Sequence, residues 1–78
     1  MNLRIRDLRE DNDKTQKQIA DYLHCDQSLY SRYELGKRVV PLAFMDKLAD
    51  YYKTSIDYLA GRTDEKTPYK KSTRYIDE

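Results

Sequence analysis

The sequence contains little cysteine, glycine or proline. Its 78 residues include one cysteine, two glycines, two prolines and no tryptophan. Because a single cysteine cannot form an internal disulfide, the chain is typical of a reducing compartment. The scarcity of glycine and proline, together with many helix-forming residues before residue 61, favours an all-α bundle. The chain length allows one small domain.

Long apolar runs and a charge excess of one sign are also missing. No run approaches the length of a membrane-spanning helix, and the N-terminus has no apolar signal core, so we expect a cytoplasmic protein without a membrane partner. Fifteen basic residues against 14 acidic ones leave a net charge of +1. Any attraction for nucleic-acid phosphates would therefore come from local clusters of Lys and Arg.

Residue types used in catalytic and metal sites are scarce as well. The one histidine, His24, stands beside the one cysteine, Cys25, and zinc sites use three or four ligands. The sequence has neither a glycine-rich phosphate loop nor a nucleophile elbow. We therefore predict no catalytic residue, no metal site and no cofactor, and we do not expect an enzyme.

The most informative stretch is residues 15–36, TQKQIADYLHCDQSLYSRYELG. Thr15 precedes Gln18 by three residues, which is the spacing of a capping box at a helix start. Asp26 is placed to accept N–H groups at the start of a second helix, and Gly36 is placed to end it. The stretch predicts two short helices joined by a tight turn.

The second of these helices, predicted over residues 27–35, has two unlike faces. Leu29 and the two tyrosines fall on one face together with Glu34, since each residue advances about 100°. The other face carries Gln27, Ser28, Ser31, Arg32 and Leu35. Two hydroxyls, an amide and a guanidinium form a compact surface with donors and acceptors that suit DNA base edges. An ordinary solvated face is the alternative.

Two charged residues stand where apolar residues are expected. Arg9 lies on the apolar face of the first predicted helix, residues 1–12, and Glu34 lies beside the tyrosines of the later helix. A charge close to a core is tolerated when it is paired and hydrogen-bonded. We therefore predict a structural ion pair between Arg9 and Glu34.

Two more helices complete the predicted bundle. The helix over residues 41–52 has an apolar face directed at the core, formed by Leu42, Met45, Leu48, Ala49 and Tyr52. Phe44 and Tyr51 extend this face sideways, either to pack against the fifth helix or the tail, or to form a subunit surface. Ser55 is expected to cap a short fifth helix that ends at Gly61.

The composition changes after residue 61. Residues 62–78 are mainly charged and polar and lose the apolar period. We expect residues 1–61 to form the domain and residues 62–78 to form a mostly flexible polar tail. A docked or dimer-spanning segment and a basic arm stay open as alternatives, on Tyr69, Tyr75 and Ile76 and on Lys70, Lys71 and Arg74.

From residue 5 to about residue 63, the chain resembles the Cro/C1-type helix-turn-helix family of bacterial and phage repressors. The resemblance rests on five pieces in order: Leu8-Arg9-Glu10, Thr15-Gln16 with Ile19-Ala20, Ser31-Arg32-Tyr33-Glu34 with Gly36-Lys37-Arg38, Leu48-Ala49-Asp50-Tyr51-Tyr52, and Ser55-Ile56-Asp57-Tyr58-Leu59 with Gly61-Arg62-Thr63. It implies a five-helix lambda-repressor-like domain whose third helix lies in the DNA major groove. The family often has glycine where His24 stands, which implies a left-handed backbone there.

The resemblance also implies the site residues. Base reading falls on Gln27, Ser28, Ser31 and Arg32, with Leu29 as a marginal contact. Arg32 can form two hydrogen bonds to a guanine, and Gln27 can pair with an adenine. Contacts to the DNA backbone fall on Gln16, Lys37 and Arg38, and on Lys14. Gln16 lies at a helix start, where backbone N–H groups attract anions.

These expectations describe a sequence-specific regulator of transcription, in particular a repressor, that binds double-stranded DNA. By analogy with the family, it is a homodimer on a palindromic operator with half-sites about 34 Å apart. We expect no small-molecule ligand, because residues 62–78 are too few to enclose a pocket. Two alternatives stay open: the antitoxin of a toxin pair, and a protein-interaction adaptor that has lost DNA binding.

Overall fold

A computed structural model describes residues 3–68 of the chain, and in this range it contains five α-helices and no β-strand. The helices are α1 (Ile5–Asp11), α2 (Gln16–Leu23), α3 (Gln27–Glu34), α4 (Leu42–Tyr51) and α5 (Ile56–Leu59). The predicted all-α, five-helix architecture is confirmed. None of the helices within residues 3–68 has both the length and the hydropathy needed to cross a bilayer.

Helix α1 begins later than the sequence pattern predicts. Residues 1 and 2 lie outside the described residues, and Arg4 is the N-cap of α1. The backbone N–H of Arg4 donates to the carbonyl of Leu59, with N and O 2.9 Å apart. The segment before α1 is therefore joined to the end of α5 instead of continuing the helix.

The core is formed by one apolar face from each helix. Its fully or almost fully buried side chains are Ile5, Leu8, Ile19, Ala20, Leu23, Tyr30, Tyr33, Met45, Leu48, Ala49, Tyr52 and Leu59. The prediction that Leu42 belongs to this core is wrong, because its side chain is 72% exposed. Leu42 is the first residue of α4 and lines an open groove at the surface of the domain instead of packing in the core.

The capping predictions are confirmed at α2 and α5 but not at α3. The Thr15 hydroxyl accepts from the N–H of Gln18 at 3.1 Å, and the Gln18 side chain accepts from the N–H of Thr15 at 2.8 Å. Ser55 accepts from the N–H of Tyr58 at 3.0 Å. Asp26 is the N-cap of α3, but within the described part of the chain its side chain makes no capping hydrogen bond.

Two left-handed residues end the helices of the central motif. His24 ends α2 with φ 58° and ψ 42°, as the resemblance implies. Gly36 has φ 74°, and the N–H groups of Gly36 and Lys37 donate to the carbonyls of Tyr33 and Arg32. This is the hydrogen-bond pattern of a Schellman motif, and it turns the chain sharply after α3.

Phe44 and Tyr51 pack against the core of the domain, and each ring also contacts an aromatic ring of the helix-turn-helix stretch. The Phe44 ring meets Tyr33 of α3 edge to face, with ring centroids 6.0 Å apart. The centroid of the Tyr51 ring lies 4.7 Å from the centroid of the Tyr22 ring on α2. Both rings therefore have partners on the helix-turn-helix stretch.

The first residues of the predicted tail lie against the bundle. The Arg4 guanidinium donates to the carbonyl of Thr63 at 2.8 Å, pairs with Asp64 at 2.6 Å and lies 4.2 Å from the ring centroid of Tyr58. The Thr54 hydroxyl donates to the carbonyl of Lys66 at 2.6 Å. The residues considered for a docked segment or a basic arm, Tyr69, Lys70, Lys71, Arg74, Tyr75 and Ile76, lie outside the described residues.

Candidate nucleic-acid interface

The outward side of α3 borders a shallow, open depression, which we call the α3 surface. It is lined by Gln16, Asp26, Gln27, Ser28, Ser31, Arg32, Leu35 and Lys37. All four residues predicted to read bases line this surface, together with two of the four predicted to contact the DNA backbone. Residues from α2, from the turn and from both ends of α3 therefore meet in one place.

Burial of two tyrosines fixes which side of α3 faces outward. Tyr30 and Tyr33 are buried in the core, and their rings meet edge to face with centroids 6.5 Å apart. Gln27, Ser28 and Arg32 are exposed on the opposite side, as the helical period predicts. Leu29, the marginal candidate, is half-buried and packs against the core.

The remaining two backbone candidates lie beside the α3 surface. Arg38 is exposed but lines a neighbouring groove. Lys14 is half-buried, and its carbonyl accepts from Nη1 of Arg9 at 3.0 Å. The Schellman turn at Gly36 sends Lys37 toward the α3 surface and Arg38 toward the groove.

That neighbouring groove, which we call the α3–α4 groove, is mainly apolar. Its lining includes Leu3, Tyr33, Val39, Leu42, Met45 and Ala60. Val39 is 90% exposed, Leu42 is 72% exposed, and nearby Leu35 on the α3 surface is 61% exposed. These exposed apolar side chains all lie between the last turn of α3 and the first turn of α4.

The predicted ion pair between Arg9 and Glu34 is present in the structure. Nε of Arg9 lies 2.7 Å from Oε2 of Glu34, and Nη2 lies 3.1 Å from Oε1, so two parallel hydrogen bonds join α1 to α3. The side chains are only 12% and 3% exposed. The hydrogen bonds to Glu34 raise the pKa of Arg9 further above its ordinary value.

Glu34 stays ionised at neutral pH in spite of its burial. Burial by itself would raise the pKa of Glu34, but hydrogen bonds from Arg9 and Gln16 and the nearby Tyr30 hydroxyl outweigh it and lower the pKa. The Tyr30 hydroxyl, like that of Tyr52, lies buried outside hydrogen-bond geometry with any partner in residues 3–68. Burial is also the main reason why the pKa values of both tyrosines are raised.

Sequence reasoning missed the second role of Glu34. Nε2 of Gln16 donates to Oε1 of Glu34 at 3.0 Å, so the first residue of α2 is held by the same carboxylate. Nothing in the local pattern indicates this contact, because the partners are 18 residues apart. This hydrogen bond joins the first residue of α2 to the last residue of α3.

Sequence reasoning also assigned Asp26 only to capping, whereas it lines the α3 surface. Its place directly before Gln27 was the available signal, since the first residues of a recognition helix face the bases in this kind of motif. Within residues 3–68, no group of three or more His, Cys, Asp or Glu side chains is arranged to hold a metal ion.

Sequence comparison agrees with this geometry. A family model described as "Helix-turn-helix" matches residues 5–59, which is most of the chain. The chain belongs to the Cro/C1-type helix-turn-helix family. The matched residues run from the first residue of α1 to the last residue of α5, so all five helices belong to the helix-turn-helix domain.

Two curated proteins resemble this helix-turn-helix domain. The uncharacterized HTH-type transcriptional regulator YobD of Bacillus subtilis is 35% identical over 65 residues, which cover 83% of this chain and 58% of YobD. The transcriptional repressor RstR of the cryptic phage CTXphi, from Vibrio cholerae, is 38% identical over 64 residues, 80% of this chain and 57% of RstR. The chain thus spans less than three fifths of either relative. No solved structure is a significant match.

Proposed function

We propose that this helix-turn-helix domain is a sequence-specific regulator of transcription, acting as a repressor, that binds double-stranded DNA through the α3 surface. The observation that carries the proposal is the meeting of Gln27, Ser28, Ser31 and Arg32 with Gln16 and Lys37 on one open surface. The names of the two relatives, a transcriptional regulator and a transcriptional repressor, support it. The proposed place of action is the cytoplasm, where bacterial DNA lies.

In the proposed complex, α3 enters the major groove. Arg32 donates two hydrogen bonds to a guanine, Gln27 pairs with an adenine, and the hydroxyls of Ser28 and Ser31 bind neighbouring base edges. Both Arg32 and Gln27 are exposed and free of the core, so they can reach a base without unfolding the domain.

The proposed backbone contacts flank α3. Lys37 and Arg38 bind phosphates beyond the end of α3, and Gln16 with the N–H groups at the start of α2 binds one on the other side. Lys14 adds a weaker contact next to Gln16. Because Gln16 is already held by Glu34, its amide is oriented before DNA arrives.

We propose that the protein binds a palindromic operator as a homodimer and that the α3–α4 groove receives a second copy of this chain. Such operators have half-sites about 34 Å apart along one face of the DNA. The exposed Val39 and Leu42 provide apolar area that an isolated domain leaves in water. The groove adjoins the α3 surface through Gly36 and Lys37, so a contact there keeps both α3 helices on the same side of the DNA. Of the surfaces expected from sequence, Phe44 and Tyr51 already contact rings of their own chain.

The test uses the purified protein to select binding sequences from a pool of randomised DNA duplexes. The affinities of the enriched duplexes are then measured at two salt concentrations. Enrichment of a palindrome whose affinity falls steeply with salt is the expected result. Binding with no enriched sequence contradicts sequence-specific reading. Absence of binding even at low salt contradicts DNA binding altogether and favours an adaptor that binds protein.

Two substitutions separate base reading from backbone contact. Arg32→Ala should relax the base preference at one base pair per half-site and reduce the binding free energy on the selected site by about 1 to 3 kcal/mol. Lys37→Ala should weaken binding to all sequences alike and reduce the slope of log affinity against log salt concentration by about 1. Arg6→Ala, an exposed change on α1, is the control. Equal losses on every sequence for Arg32→Ala would contradict its base-reading role.

A further inference from the structure

The α3 surface contains one acidic residue, Asp26, which attraction to phosphate does not explain. The other ionic side chains that line it, Arg32 and Lys37, are cations. Asp26 is exposed, and within the described residues its carboxylate makes no hydrogen bond to the start of α3, although an N-cap aspartate commonly does. The carboxylate is therefore available to whatever occupies the α3 surface.

The position of Asp26 matches a base edge better than a phosphate. It directly precedes Gln27 at the N-terminal end of α3, the end whose residues reach base edges when such a helix enters the major groove. A carboxylate near a phosphate would be repelled, and the cations that could offset this repulsion, Lys37 and Arg38, lie beyond the opposite end of α3. A favourable place for the Asp26 carboxylate is therefore beside a base that offers a donor.

Cytosine is the base whose major-groove edge suits a carboxylate. An ionised carboxylate only accepts hydrogen bonds. In the major groove cytosine presents its N4 amino group as a donor, whereas guanine presents two acceptors and thymine an acceptor and a methyl group. Adenine presents both a donor and an acceptor, so it ranks between these cases.

We propose that Asp26 is a specificity-determining residue that accepts a hydrogen bond from the N4 amino group of a cytosine and disfavours guanine and thymine at that position. This proposal rests on the proposed function of the α3 surface. It assigns to one residue the choice of one base pair in each half-site, next to the pair read by Gln27.

The experiment compares the full chain with Asp26→Asn in the same duplex selection and then in binding to the selected site. Asn is also a good N-cap residue, so the variant should fold, which circular dichroism checks. Its amide both donates and accepts, and the preference for cytosine over guanine or thymine at one position should fall roughly tenfold. Asp7→Asn is the matched control, because it removes the same charge from an exposed site on α1.

A change in the DNA gives a second arm that does not depend on a protein variant. A pyrimidin-2-one nucleotide in place of the cytosine lacks the N4 amino group. The unchanged protein should lose roughly tenfold in affinity on this site, and Asp26→Asn should lose less, because its uncharged amide oxygen accepts a weaker hydrogen bond than the carboxylate does. Affinities that rise equally on all sequences for Asp26→Asn and Asp7→Asn would overturn the proposal, because Asp26 would then act only through its charge.

The result also separates this proposal from the function on which it rests. If the unchanged protein selects a site and Asp26→Asn selects the same site with the same preferences, the proposal for Asp26 is overturned and DNA reading stands. If the unchanged protein selects no sequence, both are overturned.

Discussion

Glu34 is the residue on which most of the polar structure depends. Its carboxylate binds Arg9 of α1 and Gln16 of α2 while being part of α3 itself. The pair with Arg9 could be predicted from sequence, because each charge falls on an apolar helix face, where it requires a partner of opposite charge. The bond to Gln16 could not, since it depends on how α2 and α3 are placed in space.

Breaking the pair should destabilise the domain strongly. Glu34→Ala leaves the Arg9 guanidinium, only 12% exposed, without its partner, and we expect the free energy of unfolding to fall by about 3 kcal/mol. Urea denaturation followed by circular dichroism measures this. The double variant Arg9→Met with Glu34→Met should recover part of the loss, because an apolar pair leaves no charge unpaired. If the double variant loses as much unfolding free energy as Arg9→Met and Glu34→Met lose when their separate effects are added, this account is contradicted.

Acid should remove the contribution of the same carboxylate. Because the pKa of Glu34 is lower in the folded protein than its ordinary value of 4.5, Glu34 contributes stability that is complete above that value. The contribution is lost as the pH falls from about 4.5 through the lowered pKa. Glu34→Gln should therefore flatten the dependence of unfolding free energy on pH below 4.5. Glu10→Gln, on the exposed face of α1, is the control, and equal flattening in both variants would contradict the prediction.

At the scale of the helices, the positions of the helix ends could be predicted better than the burial of the side chains near them. The existence of the helices and the capping box at Thr15 could be predicted because periodic apolar residues and cap residues act over three to four positions. The exposure of Leu42 could not, since the helical period orients a side chain but does not say whether another element covers it. The absence of a capping hydrogen bond from Asp26 to α3 among the described residues could not be predicted either, because an aspartate at an N-cap position can form this bond but does not have to.

The turn after α3 provides a prediction at this scale. Gly36 has φ 74°, which residues with a side chain adopt at a cost of about 1 to 2 kcal/mol. Apart from its immediate chain neighbours, a methyl group at Gly36 would meet no atom of the described residues within 4 Å, so backbone strain is the main penalty there. Gly36→Ala should lower the free energy of unfolding by about 1 kcal/mol, measured by thermal denaturation. Gly36→Asn should lose less unfolding free energy than Gly36→Ala, because Asn tolerates the left-handed conformation better. Equal losses of unfolding free energy in the two variants would contradict this explanation.

At the scale of the whole molecule, three long-range contacts of Arg4 join the ends of the described chain. Arg4 binds Thr63 and Asp64, and its backbone N–H binds Leu59, so the first and last described segments lie together beside α5. Charged and polar composition alone predicts a flexible tail after residue 61, because it carries no information about a partner 59 or 60 residues away. The α3–α4 groove lies near the same region through Leu3 and Ala60.

The proposed dimer through the α3–α4 groove is tested by removing its exposed apolar side chains. Val39→Ser with Leu42→Ser should leave folding almost unchanged, because these side chains are 90% and 72% exposed in the single chain. We expect the free energy of association of two copies to weaken by about 2 kcal/mol, measured by sedimentation equilibrium. The affinity for a full operator should then fall toward the affinity for a single half-site. Ala43→Ser, at an exposed neighbouring position in α4, is the control. If the double variant associates as strongly as the control, the two copies meet elsewhere, while unchanged binding to one half-site would still support reading by α3.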